Sequence, residues 1–510
     1  MDKFKILFAF VPMIWLLVSL GILKIESYKA CLAGTVLTAI LAVFTFDMSA
    51  EYLGQAVLEG AVYAIISICW IIISALLVYN ITVKTGALEV IREMLTDISG
   101  DRRIQALIIG FAFGGFLEAV AGFGTAVAIP AGILIAMGFQ PLKAAVICLV
   151  SNTVPVALGV LGVPVISLAE TSGLEIGKLA IYICIQLLPF AVLLPVLIIY
   201  IVTDSVSKIK EAVLPAILSG LTFAVFQTVT ALFSGVSLAA AAGALASLAV
   251  LILWCRLGKQ RQVYRFEYDK NDEKKENNAT IGRALWAWCP YILILVLIIA
   301  VQFLPILGQT PFLIEKQLYF GYGGKAITFN WLTNGGSLLF IAAIISGTIQ
   351  GMNIKTLGIT AIETLKQVKI SVITIVFVVS LAKIMTYSGM IELSASLIAG
   401  ISGSFFPFLS PVIGALGTFI TGSDTSSNIL FGGLQQQTAA KAGLDQYWIV
   451  AGNGAGATAG KMISPQSISI AAASINNAAR ESEMMASTVK YCIIYVILMG
   501  ICVYLGEIFI

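Results

Sequence analysis

The sequence predicts an all-α polytopic membrane protein, with about 12 transmembrane helices plus two re-entrant hairpins in two inverted repeats. Three observations carry this reading. The 510 residues are 59% hydrophobic and 11% charged, a balance no soluble domain sustains, and apolar runs long enough to cross a bilayer recur along the whole chain. Several of these runs are broken at Gly, Ser, Thr or Pro in their middle. The breaks also repeat: residues 116–165 fall on 417–466 without a gap, placing Gly132 on Gly433, Asn152 on Asn453, Gly159 on Gly460 and Pro164 on Pro465. Apolar segments interrupted at matching places in two halves point to a transporter's binding site.

Taken in order, residues 1–27 hold an N-terminal transmembrane helix over 4–23, with a weak basic flank and no small-residue cleavage site, hence a retained span. Residues 28–203 form inverted repeat one. It contains spans over 28–46 and 60–81, a polar amphipathic piece over 84–103, a hairpin over 104–139, a broken helix over 142–169 and a full span over 178–203. The hairpin reading rests on Gly114-Gly115 and Gly122-Phe123-Gly124, which leave two arms of about 16 residues, about 24 Å each at helical rise. Irregular backbone at that depth survives only against protein or a water-filled cavity. Residues 204–330 supply three connecting helices, over 212–232, 236–255 and 285–307. Between the last two, the loop 256–283 carries Arg256, Lys259, Arg261, Arg265, Lys270, Lys274, Lys275 and Arg283 and reads as flexible and solvated. Residues 331–510 form inverted repeat two: spans over 331–350 and 368–387, a polar piece over 388–404, a hairpin over 405–440, a broken helix over 446–475 and a last span over 487–508.

Lys and Arg set the orientation. With the 256–283 loop cytoplasmic, only Lys3, Lys5, Lys178, Lys316, Lys325 and Lys441 fall outside, and Lys383 and Lys461 lie within spans. Three spans separate the repeats, an odd number, so the halves are inverted and their hairpins enter from opposite faces. The expected location is the bacterial plasma membrane.

Charges at membrane depth mark the candidate chemistry, because each costs on the order of 2.5–3.5 kcal/mol even on lenient insertion scales. Glu118 sits beside the turn of the first hairpin, Asp424 in the turn of the second, and Lys461 in the second broken span. The competing structural reading is an Asp424–Lys461 ion pair, with Glu118 bonded to the hairpin backbone. The repeat does not preserve the charges: Glu118 aligns with Phe419, and Asp424 with Phe123. Ser151-Asn152-Thr153 and Gly452-Asn453-Gly454 are read as the points where the broken spans unwind, exposing N–H groups for an anion and carbonyls for a cation or hydroxyl. Thr125, Ser423 and Thr425 in the hairpin turns add hydroxyls, although small residues also line tight helix contacts in lipid. Lys383 and Lys178, near span ends, read as snorkelling side chains, and Trp286, Trp288 and Tyr291 as an interfacial anchor.

The composition also excludes. The chain has no histidine, hence no imidazole metal site and no near-neutral imidazole proton carrier, and its eight cysteines form no CxxC. With no phosphate loop, HExxH or GxSxG, the sequence argues against ATP-driven transport and hydrolase chemistry; no cofactor, metal or nucleic-acid partner is expected. An intramembrane aspartyl protease built on Gly422-Ser423-Asp424 needs a second aspartate nearby, and Asp47, Asp204 and Asp445 fall at span ends.

Three stretches carry a resemblance. GFLEAVAGFGT (115–125), GALGTFITGSDTSSNILFGGLQ (414–435) and NGAGATAGKMISPQSISIA (453–471) closely resemble signature segments of the bacterial L-lactate permease family, and length and spacing fit across essentially the whole chain. The sequence departs from the family pattern at Ala126, where proline is common. The resemblance implies proton-coupled symport of L-lactate, D-lactate and glycolate, and the residues matching its motifs are Glu118, Gly122, Gly124, Thr125, Asp424, Asn453 and Lys461, beside the turn glycines Gly422 and Gly454. The expected partners are therefore these 2-hydroxymonocarboxylates, protons and the lipid bilayer. A sodium-coupled transporter of another small organic anion is the nearest alternative. In the proton-coupled reading Glu118 or Asp424 carries the proton, since burial raises a carboxyl pKa towards neutrality. Lys461 with Asn453, Asn152, Ser151, Thr153, Thr125, Ser423 and Thr425 binds the substrate.

Overall fold

The computed structural model describes residues 3–23, 25–122, 124–258, 263–267, 269, 280–303, 313–321, 324, 326–474 and 481–510. Phe123, Lys259, Arg261, Lys270, Lys274, Lys275 and Lys325, with the ends of the spans expected at 285–307 and 446–475, lie outside the described residues.

Helices dominate, as the apolar runs require: a backbone in lipid must satisfy its own N–H and C=O groups. Ten described helices are long and apolar enough to cross a membrane, and eleven if the bent pair Pro141–Val156 and Gly159–Ser172 counts as one span. Two expected crossings form only shorter apolar helices, Phe4–Leu20 and Gly335–Ile349, whereas the leading arms of both hairpins fall in segments of spanning length, Arg102–Val120 and Met390–Thr421. Length alone does not make a crossing. The Arg102–Val120 segment is 100% buried inside the protein, whereas Met390–Thr421 is 33% buried.

Each half runs through the same succession. In the first half come Ser27–Phe44, Ala50–Lys84, the amphipathic Ala87–Thr96, the hairpin arms Arg102–Val120 and Thr125–Ala136, the broken span, and Ile176–Thr203. In the second come Gly335–Ile349, Ile354–Tyr387, Met390–Ser402, the arms Phe406–Thr421 and Asp424–Ala442, the helices Gln446–Lys461 and Pro465–Ser474, and Glu481–Phe509. Ala50–Lys84 and Ile354–Tyr387 start well before the expected 60–81 and 368–387, at the side-chain caps Ser49 and Asn353, and the C-terminal end of the first packs on the N-terminal part of the second. Asn80 Nδ2 donates to Thr364 at 2.8 Å, and Lys84 pairs with Glu363. An antiparallel ribbon, Leu313–Gln317 with Ala326–Asn330, joins the connecting helices to the second half.

The second break is displaced from its expected place. Gln446–Lys461 runs unbroken through Gly452-Asn453-Gly454 and ends only at Met462-Ile463-Ser464. The glycines there serve close approach instead: a Cβ on Gly456 would lie 2.2 Å from the Pro411 carbonyl oxygen, and one on Gly460 2.1 Å from that of Ala415. In the first half the helix pauses at Asn152, and the chain reverses hand at Val160, Leu161 and Gly162, with φ of 45°, 55° and 83°. The reversal after Asn152 and the break after Asn453 thus both fall between about two and three helical turns beyond the aligned asparagine. Left-handed Val and Leu each cost about 1–2 kcal/mol, so the surrounding packing imposes this turn.

Three other expectations change. Trp288 and Tyr291 pack on Phe116 of the first hairpin, at 5.3 and 4.8 Å between ring centroids, so they brace the hairpin and are not an interfacial anchor. Part of the 256–283 loop is docked. Tyr264 N–H donates to Asp101 at 3.2 Å, and Asp269 pairs with Arg102 at 2.7 Å, against the fully solvated reading. Burial works against ionisation of Asp269, but the Arg102 guanidinium and the Phe266 N–H hold its carboxyl below the usual aspartate range. Lys383 does not snorkel: its ammonium is held between Glu59 and Glu170, at 2.8 and 3.0 Å.

Candidate functional site

The hairpin tips are built by glycine. Gly122 and Gly124 turn the first tip with φ of 61° and 85°, and Gly422 turns the second with φ of 73°. Both tips touch the half-helix that follows the second break. A Cβ on Gly124 would lie 2.5 Å from Ile470 Cδ1, and one on Gly422 2.3 Å from Gln466 Oε1. The return arm of the second hairpin in turn packs on the half-helix after the first break, where Asn428 Nδ2 donates to the Pro164 carbonyl at 3.0 Å. Each hairpin is thus completed by the broken span of the other half.

Three charges meet at this junction. Glu118 and Asp424 are each 2% exposed, and Lys461 lies within electrostatic reach of both. No ion pair forms within 4.0 Å, so the Asp424–Lys461 salt bridge of the structural reading is not made. Lys461 Nζ donates instead to the Gly422 carbonyl at 3.2 Å. Glu118 does not bond the hairpin backbone either: its Oε2 has no hydrogen-bond partner, and neither has Asp424 Oδ1 or Oδ2. The Asn152 amide lies beside Glu118 and the Thr418 hydroxyl beside Asp424, yet no aligned hydrogen bond closes, and both side chains are otherwise unpartnered. Ser151 Oγ is also buried and unpartnered. A buried polar group left unmade costs about 1–3 kcal/mol, so such a concentration marks a place kept for something other than stability.

The local backbone explains the tolerance of charge. Asp424 opens a helix and Lys461 ends one, each at the favourable end of the helix dipole. Glu118 sits in the last turn of Gly114–Val120, the unfavourable end for an anion. Its stem packs against Gly159, where a Cβ would lie 3.1 Å from Glu118 Cγ.

The remaining sequence candidates sit around this junction in different conditions. Thr125 Oγ1 donates to the Gly122 carbonyl at 2.8 Å, and Thr153 Oγ1 to that of Val150 at 2.8 Å. Ser423 caps the return arm by accepting from Ser426 N–H at 3.3 Å, and Thr425 is buried on its first turn. Gly454 packs against Ile183 and Leu168. Asn453 is engaged on both ends: it donates to Asn428 at 2.9 Å and accepts from Gln435 at 3.1 Å. Sequence reasoning missed Thr418, Asn428 and Gln435. The polar face of the return arm (Ser426, Ser427, Asn428, Gln435) was the available signal, since polar residues buried at that depth require partners. Of the aspartates a protease would need, Asp47 pairs with Lys5, Asp204 with Lys143, and Asp445 caps the Gln446 helix; none lies beside Asp424.

Two hairpins and two broken spans closing around unpaired buried charges define a polytopic membrane protein of the transporter class. The family model described as L-lactate permease matches residues 5–322 and 322–509. An L-lactate permease of Streptococcus iniae is 37% identical over 88% of this chain and 94% of its own length. The glycolate permease GlcA of Escherichia coli is 35% identical over 97% and 94%. Among solved structures, MtrF of Neisseria gonorrhoeae shares the fold, with a TM-score of 0.52 and 14% identity over 95% of this chain and 96% of that one. The chain belongs to the L-lactate permease family, whose members are transporters and not enzymes.

Proposed function

We propose that the protein couples the inward proton gradient to uptake of L-lactate and related 2-hydroxymonocarboxylates, D-lactate and glycolate, across the bacterial plasma membrane. Family membership supports the substrate class: relatives along nearly the whole chain are named for lactate and for glycolate. The observation that carries the mechanism is the pair of unpaired buried carboxylates, Glu118 and Asp424, around one lysine. Lys461 and the N–H groups at the half-helix starts hold the substrate carboxylate, and Ser151, Asn152 and Thr418 offer groups for its 2-hydroxyl. Glu118 or Asp424 takes the proton, for in a chain without histidine these two buried carboxyls beside Lys461 are the available proton carriers. With the 256–283 loop cytoplasmic, the two halves are inverted, the geometry for alternating access.

The test is radiolabelled L-lactate uptake into proteoliposomes, under an inside-alkaline pH gradient and, separately, a sodium gradient. Accumulation driven by pH, abolished by a protonophore and competed by glycolate supports the proposal. Accumulation driven by sodium at fixed pH moves the coupling ion to the carbonyls of the broken spans. No lactate movement under either gradient overturns the substrate.

A further inference from the structure

Apart from the central junction, a cavity of about 500 Å³ opens between the Ala50–Lys84 and Ile354–Tyr387 helices, the half-helix Gly159–Ser172 and the return arm Asp424–Ala442. Neither Glu118, Asn152, Asp424 nor Lys461 lines it. Its charged lining is Glu59, Glu170 and Lys383, and the lysine serves both carboxylates, at 2.8 and 3.0 Å. The carboxylates are not equivalent. Glu59 is 1% exposed, accepts from the Tyr387 hydroxyl at 2.7 Å, and keeps an unpartnered Oε2. Glu170 is 35% exposed and stands on the half-helix after the first break, whereas Glu59 and Lys383 stand on the two long helices. The rings of Tyr63 and Tyr387 flank the ammonium, with centroids 5.9 and 5.8 Å away. Gln437 Oε1 on the return arm is buried without a donor.

We propose that this triad is a second, proton-linked carboxylate-exchange site, separate from the Lys461 junction and engaged by the substrate before it: Glu170 accepts a proton and releases Lys383, and the carboxylate of a small 2-hydroxymonocarboxylate takes its place. The inference rests on the proton-coupled reading above. The charges balance. One proton from the aqueous phase forms the Glu170 O–H bond, one substrate anion arrives, and the triad's net charge is the same before and after. The exchange therefore leaves no ammonium unpaired in a buried site, the outcome that costs most. Glu170 is the partner that leaves because it is the more solvated of the two and has no Tyr387 anchor. Charged and titratable groups facing Glu170 are Lys383 and Tyr387 from one long helix and Glu59 and Tyr63 from the other; the return arm contributes the neutral Gln436 and Gln437, and the ribbon only Ala326–Thr328. Gln437 Oε1 supplies an acceptor for the substrate hydroxyl.

The experiment measures L-lactate binding to the purified full-length chain by calorimetry, in buffers of different ionisation enthalpy, which counts protons taken up per lactate. Glu170→Gln is expected to take up about one proton fewer than wild type, and to lose one power of ten per pH unit from the alkaline decline in affinity. An unchanged proton count overturns the triad. Because Glu170 is half-exposed, the amide is expected to fold, and a melting curve in the same detergent checks this. As a second variant, Glu59→Gln combined with Lys383→Gln keeps the triad's net charge; at least a tenfold loss of lactate affinity is expected, and wild-type affinity overturns the proposal. A wild-type chain that binds no lactate sinks the transport reading as well, whereas lactate binding unaffected by both variants sinks the triad alone.

Discussion

Replacing Glu118 by Gln tests the coupling reading most directly, because the structure predicts two effects of opposite sign. The side chain is 2% exposed, its Oε2 has no partner, and its stem fills the space against Gly159. Glutamine has the same shape, so no cavity forms. The substitution also removes a charge that costs on the order of 2.5–3.5 kcal/mol to hold at membrane depth. Melting temperature in detergent should therefore be unchanged or raised. Transport should fail in one respect only. One pH unit stores about 1.4 kcal/mol per proton, enough for about tenfold accumulation of lactate by one-proton symport. Proteoliposomes carrying the wild type under that gradient should approach this ratio. Those carrying Glu118→Gln should stop at equilibration while still exchanging internal for external lactate. A Glu118→Gln protein that still concentrates lactate tenfold refutes Glu118 as the proton carrier, and the same experiment on Asp424→Asn then asks whether the other carboxylate does it.

Lys461→Ala leaves the two carboxylates without their cation and should weaken apparent lactate affinity at least tenfold, since truncating one side of a buried charge contact costs about 2–5 kcal/mol; unchanged affinity removes Lys461 from the site. Gly456→Ala drives a methyl to 2.2 Å from the Pro411 carbonyl and should destabilise the protein by about 1–3 kcal/mol, seen as a lower melting temperature. The Asp269–Arg102 pair should protect the amides of Val263–Phe266 from hydrogen exchange at neutral pH. Because the Asp269 carboxyl is held below its usual range, the protection is present above that range and lost as pH falls through it, and Asp269→Asn should lose it at every pH.

Much of the architecture was legible because glycine and proline punctuate an otherwise uniform apolar text. The tips at Gly122–Gly124 and Gly422 form where the sequence breaks, and Glu118, Asp424 and Lys461 come together as charges in lipid-depth segments must. The second break was misplaced because a glycine run has two uses in a membrane: it loosens a helix, or it lets two helices touch. Gly452–Gly460 does the second, a choice decided by Pro411 and Ala415 on another helix. Lys383 was illegible for a related reason. Near a span end a lysine alone reads as snorkelling, and its two acidic partners lie on other helices, one of them 213 positions away. Asn428 likewise needs the carbonyl of Pro164, 264 positions upstream.

The crossing of each hairpin with the other half's broken span has a consequence for biosynthesis. The tip bearing Glu118 leaves the ribosome about 350 residues before Ile470, its cover, and before Lys461, its counter-charge. At 5–20 residues per second that is a delay on the order of tens of seconds. Throughout it the nascent first half holds an uncompensated carboxylate and an uncovered tip, so a chain truncated anywhere before Lys461 is a membrane protein with an unfinished interior and a natural substrate for quality-control proteolysis.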